Sequence, residues 1–128
     1  MNAQTSTSSK TILIVEDERS LRDSLKERLE SEGYQVITAS DGTNGVTESI
    51  LNHPDLILLD LFMPNTDGMS MLEKIRSDAW GKSVPVVILT NMGSDQIQKQ
   101  AISLQVSAFL IKSDVPLEGI IAEVKKHI

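Results

Sequence analysis

From residue 11 onward the chain alternates short, largely apolar runs with longer stretches whose apolar positions recur every third or fourth residue. The runs lie at 12–15 (ILIV), 34–38 (YQVIT), 56–59 (LILL), 84–89 (VPVVIL) and 108–111 (AFLI). Runs of four to six apolar residues without polar alternation suit strands covered on both faces, the usual state of parallel strands. Pro85 can stand only at the start of the fourth. The stretches between them predict helices. Leu21, Leu25 and Leu29 share one face and stop at Gly33; Asp41 caps a helix with Val46 and Ile50 inward that ends before Pro54. Asp67 caps a third, with Leu72 and Ile75 inside. Ile97 and Ala101 mark a fourth, and Leu117, Ile120, Ile121, Val124 and Ile128 form the stripe of the last.

Five strand–helix units in succession predict an α/β protein, a doubly wound (βα)5 parallel sheet with helices on both faces. At 128 residues the chain fits one domain. Residues 1–9, almost wholly polar, are expected to be a disordered tail ahead of a domain spanning 10–128, because ordering them would cost entropy without burial in return.

Composition narrows the chemistry. The absence of cysteine excludes disulfides, thiolate metal sites and thiol catalysis. A formal charge of −6 and the lack of a basic run argue against direct nucleic-acid binding. No stretch approaches the ~18 apolar residues of a membrane span, so a cytoplasmic protein without membrane insertion is expected. His53 and His127 fall at helix ends without ligand-like spacing, and Trp80 reads as a cover over apolar surface.

Ligands of such sheets bind beyond the carboxyl ends of the strands. Those ends carry Glu16 and Asp17, Asp60, Thr90 and Lys112. In a flavodoxin-like order 2-1-3-4-5 the first and third strands are neighbours, so three carboxylates converge and repel unless a cation joins them. An all-oxygen site with room for water suits Mg²⁺. Asp60 is then the candidate nucleophile, the Lys112 ammonium a second positive partner, and the Thr90 hydroxyl a group able to turn toward new phosphoryl oxygens. Each residue alone has a plainer reading as a helix-start acid, turn residue, strand end or surface lysine. Their joint appearance along one sheet edge favours a site.

The stretches "ILIVED", "DLILLDLFMPNTDGMSMLEKIR", "PVVILT" and "AFLIK", in this order and spacing, resemble the response-regulator receiver family of two-component signalling over nearly all of 11–128. The resemblance implies a phosphoryl group accepted on Asp60 from a sensor histidine kinase or histidine phosphotransfer protein. It also implies Mg²⁺ ligated by Asp17, Asp60 and the Phe62 carbonyl, with Glu16 acting through water. Met63-Pro64 and Asp67-Gly68 match the family's tight loop, and Phe109 its switch aromatic, turning inward as Thr90 moves. The output would be a changed face of the fourth helix, fifth strand and fifth helix, read by a downstream protein, with the chain a monomer or a phosphorylation-dependent dimer. This is self-catalysed transfer in a phosphoprotein or phosphorelay member, not a turnover enzyme. Three positions depart from the pattern. Ser113 follows Lys112 where the family usually has proline after a cis bond, Asn91 follows Thr90 where it prefers a small residue, and Glu16 replaces the commoner Asp. Of Phe62, Asn91 and Met92 at the cleft mouth, neither Phe62 nor Met92 can align a water as a carboxylate or amide would, while Asn91 could either position one or narrow its approach; obstruction would give a comparatively stable phosphoryl state.

Three other readings are open to the same residues. An interaction module could keep the fold and work without phosphorylation. A dehalogenase-like aspartyl-phosphate phosphohydrolase would need an acid two residues after its nucleophile, where Phe62 stands. A flavin carrier would need more than 3% aromatic residues.

Overall fold

The computed structural model describes residues 9–63, 66–91 and 93–128, with the backbone alone at Thr66. The tail expected over 1–9, apart from Ser9, and the roles expected of Pro64 and Met92 lie outside the described residues. Five strands form one parallel sheet: β1 (Thr11–Val15), β2 (Gln35–Ala39), β3 (Leu56–Leu59), β4 (Val86–Thr90) and β5 (Ala108–Ile111), in the order β2-β1-β3-β4-β5. The register joins Ile12 to Val36 and to Leu56, Ile57 to Val86, and Thr90 to Ile111.

Strand periodicity divides the core in two. Leu13, Val15, Ile57, Leu59, Val86 and Ile88 face α2 (Gly42–Asn52), α3 (Gly68–Ser77) and α4 (Asp95–Ser103), where Met71, Leu72, Ile75 and Ala101 meet them. Ile12, Ile14, Leu56, Leu58, Val87 and Leu89 face α1 (Arg19–Ser31) and α5 (Leu117–His127), which contribute Leu25, Leu29, Ile120, Ile121 and Val124. Successive side chains therefore enter opposite layers, which is why the strands read as continuous apolar runs. Among the described residues no helix is long and apolar enough to cross a membrane.

The expected caps form: Asp41 accepts from the Asn44 N–H at 2.8 Å and Asp67 from the Met69 N–H at 3.0 Å. Three local expectations are corrected. The second strand begins at Gln35, because Gly33, at φ 100°, turns the chain and leaves the Tyr34 N–H on the Leu29 carbonyl. The fourth begins at Val86, and Pro85 stands just before it with its carbonyl accepting the Ile57 N–H. Ile50 does not face inward: it is 37% exposed, and Gly42, Gly45 and Ser49 carry the buried face of α2. At Gly45 a Cβ would stand 2.8 Å from Met71 and 3.0 Å from Val15 Cγ2, so the helix packs closest through small residues, with Val46 partly buried beside them and Ile50 and Leu51 turned outward. A two-residue antiparallel ribbon, Phe62–Met63 against Thr66–Asp67, was not foreseen. Trp80 is half-buried, and its ring stacks on His53 with centroids 4.7 Å apart and planes at 7°.

Candidate functional site

Backbone hydrogen bonds bring the acidic residues together before any side chain does. The Asp60 N–H donates to the Val15 carbonyl and the Glu16 N–H to the Ala39 carbonyl, both at 3.0 Å, so the ends of β1, β2 and β3 are held level. One carboxylate oxygen each from Glu16, Asp17 and Asp60 then lies within 4.8 Å of the others. Glu16 and Asp60 are buried, at 2% and 3% exposure, while Asp17 faces solvent.

Lys112, directly after β5, reaches across the sheet edge into this cluster. Its ammonium lies 2.9 and 3.1 Å from the two Glu16 oxygens and 3.0 Å from Asp60 Oδ2. Main-chain donors add to these bonds: Glu18 N–H donates to Glu16 Oε2, and Phe62 N–H to the other Asp60 oxygen, Oδ1, both at 3.0 Å. Burial pushes the Glu16 carboxyl up to about 7, against the opposing pull of Lys112. Burial pulls the Lys112 ammonium down, but its hydrogen bonds to Glu16 and Asp60 outweigh that and hold it above the ordinary lysine value.

Thr90, at the end of β4, is fully buried. Phe109 pairs in register with Ile88 on the same strand and is half-buried against the α2–α3–α4 layer. Its ring edge lies by the loop that follows Thr90, since a Cβ at Gly93 would stand 3.1 Å from Phe109 Cε1. Phe62 is 41% exposed at the mouth of the site. Among the described residues there is no cis peptide; Lys112–Asp114 form a short 3-10 turn in which Ser113 takes the place of the family's usual proline.

One supporting residue escaped the sequence reading, and the close approach at a second was not foreseen. Arg22 of α1 donates from Nη1 to the carbonyls of Glu16 at 2.9 Å and Asp17 at 3.3 Å, which fixes the backbone carrying both acids. Gly68 starts α3 against the nucleophile's own backbone: a Cβ there would stand 2.6 Å from Leu61 Cα and 2.7 Å from the Asp60 carbonyl. Arg22 stands on the same helical face as Leu25 and Leu29, but apolar periodicity says nothing of where a polar side chain on that face reaches. The "DG" pair did mark a turn at Gly68, though not the close approach.

Three converging carboxylates, two of them buried, form a hard-oxygen set that fits a small dication, and the ammonium beside them supplies fixed positive charge where a transferred anionic group would arrive.

Comparison with known proteins agrees with this geometry. The family model described as response regulator receiver domain matches residues 12–125. The chain is 35% identical over 109 residues to a probable transcriptional regulator ycf27 of Cyanophora paradoxa, covering 85% of this chain and 44% of that protein. It is also 35% identical over 101 residues to the DNA-binding dual master transcriptional regulator RpaA of Synechocystis, covering 79% and 42%. It thus spans less than half the length of these curated relatives. Among solved structures, the non-phosphorylated HemR receiver domain of Leptospira biflexa superposes with a TM-score of 0.85 at 29% identity, over 92% of this chain and 93% of that one. The chemotaxis protein CheY4 of Vibrio cholerae gives 0.87 at 23% identity over 94% and 100%, a likeness of fold.

Proposed function

The chain belongs to the response regulator receiver domain family, and from that premise we propose that it is a phosphorylation-dependent signalling switch whose phosphoryl acceptor is Asp60. The observation that carries this reading is the Lys112 ammonium 3.0 Å from Asp60 Oδ2, inside a cluster whose carboxylate oxygens lie within 4.8 Å of one another.

Asp60 Oδ2 attacks the phosphorus of a phosphohistidine on a sensor kinase or phosphotransfer protein. A P–O bond forms as the P–N bond breaks, and the leaving imidazole takes its proton from solvent. The Phe62 N–H holds the other oxygen of Asp60 and so fixes which one is presented. Lys112 moves with the developing negative charge and pairs with the phosphoryl oxygens. Asp17, Asp60 and the Phe62 carbonyl, with Glu16 through water, would hold Mg²⁺, which when bound would supply positive charge against the acids and the transferred phosphoryl group. The domain's own residues perform the transfer once per donor, which makes it a substrate with built-in catalysis rather than a turnover enzyme.

The Thr90 hydroxyl turns toward the phosphoryl oxygens, and the loop after it carries the change to the Phe109 ring through the contact at Gly93. The face of α4, β5 and α5 is then what a downstream protein reads. Incubation with Mg²⁺ and acetyl phosphate, followed by intact mass, tests the assignment. The native chain gains one phosphoryl group and Asp60→Asn gains none; full labelling of that variant would refute it.

A further inference from the structure

At the opposite end of the sheet from the acidic cluster, Arg76 in the last turn of α3 is half-buried and has no carboxylate partner among the described residues. Its guanidinium is committed instead to main-chain carbonyls. Nε donates to Leu104 at 2.8 Å, Nη1 to Gly81 and Val84, each at 2.8 Å, and Nη2 to Gln105 at 3.2 Å. These bonds tie the end of α4 and the approach to β4 onto α3. They also fix the guanidinium in one orientation, with one of its five N–H groups still to spare. Carbonyl dipoles satisfy donors but leave a whole positive charge in a partly desolvated place, and burial holds the Arg76 pKa below the ordinary arginine value.

Beside this cation opens a notch of about 250 Å³ lined by Arg76, Lys82, Ser103, Leu104 and Gln105. Lys82 likewise has no ion-pair partner among the described residues. Among the described residues no acid lines the notch, although the chain carries 18 acidic residues against 12 basic ones. The nearby Asp78 has its Oδ1 engaged by the Trp80 N–H at 3.0 Å. Positive charge is thus concentrated at one concave spot on an acidic surface. One cation there is rigid and pre-oriented, the other long and free to close over a guest, and Leu104 provides an apolar wall.

We propose that this notch binds a small organic anion, its phosphate or carboxylate head group between Arg76 and Lys82 and a short apolar body against Leu104. The site is separate from Asp60 and independent of its phosphorylation. A fixed guanidinium with one free N–H and a mobile ammonium are complementary to an oxyanion, and the volume exceeds what a bare inorganic ion fills.

The test is an ¹⁵N NMR titration of the whole chain in EDTA, with inorganic phosphate, phenyl phosphate and benzoate as probes and sodium chloride at matched ionic strength as the control. Binding is expected as saturating shifts of the Arg76 Nε–H and of the Lys82, Leu104 and Gln105 amides. One of the two aromatic anions should bind more tightly than inorganic phosphate, and which one it is identifies the head group. Lys82→Ala, an exposed change that leaves the Arg76 bonds in place, should weaken binding about tenfold, the loss of one charge-assisted hydrogen bond. Lys82→Arg should retain it. Equal shifts with chloride, shifts that do not saturate, or a Lys82→Ala titration matching the native one would each overturn the proposal.

Discussion

The Lys112 ammonium stands 2.9 Å from one Glu16 oxygen and 3.1 Å from the other, so a single cation spans both oxygens of a buried carboxylate 96 residues away. The same ammonium reaches Asp60, and one side chain therefore serves as the cation of two acids. Lys112→Ala leaves both without their cation, and breaking a buried pair from one side costs about 3 kcal/mol. We expect the metal-free variant to unfold at lower urea than the native chain. Mg²⁺ should return more stability to it than to the native protein, because the metal then replaces a missing charge rather than joining one already present. An equal gain in both, in urea melts with and without Mg²⁺, would contradict this.

Asp17 is more open to solvent than Glu16, which is buried and held by Lys112 and by the Glu18 N–H, so the two acids are unequally free to serve a metal. Asp17→Ala should weaken Mg²⁺ by about tenfold or more, and Glu16→Ala by less. Calorimetric titration of each variant measures the difference. Equal losses would mean that both acids ligate alike.

Gly68 is required by the approach of α3 to the nucleophile's backbone. Because the atoms a methyl would meet are main chain and cannot rotate away, Gly68→Ala should cost about 1 to 3 kcal/mol. It should also slow phosphorylation, since the shift falls on the Asp60–Leu61 peptide. A variant with native stability and native labelling rate would show that the loop yields freely.

On the α1–α5 surface, Glu32 accepts from Lys125 at 2.8 Å and also pairs with Arg28, which forks onto Glu118. The hydrogen bond from Lys125, followed by that from Arg28, holds the Glu32 carboxyl down to about 2, below its ordinary 4.5. A depressed acid contributes stability that is fully present above the unfolded value and is lost as pH falls through the folded one. Thermal stability should therefore decline between about pH 4.5 and 2 less steeply in Glu32→Gln than in the native chain. Raising the salt should shrink the difference, because these groups are exposed. Parallel profiles would show that the network contributes nothing.

The sequence by itself determined the layers and the edge that matters. Unbroken runs such as 56–59 can be satisfied only between two helical layers, and a parallel order of strands puts Glu16, Asp17, Asp60, Thr90 and Lys112 at one end of the sheet whatever the details of packing. Local chemistry was equally legible at Asp41 and Asp67, where a short side chain caps a helix within three residues of itself. Only the tertiary structure decided the rest, because it depends on distances between segments far apart in the chain. That α2 approaches the sheet through Gly45 and so turns Ile50 outward follows from the space left by Met71 and Val15, which no periodicity within the helix contains. That Arg22 braces the acidic pair and Arg76 ties α4 to α3 follows from long side chains finding carbonyls on other elements. Lys112 could be assigned to the site from its strand end, but its sharing between both oxygens of Glu16 and one of Asp60 is set by how close β1, β3 and β5 bring the three charges.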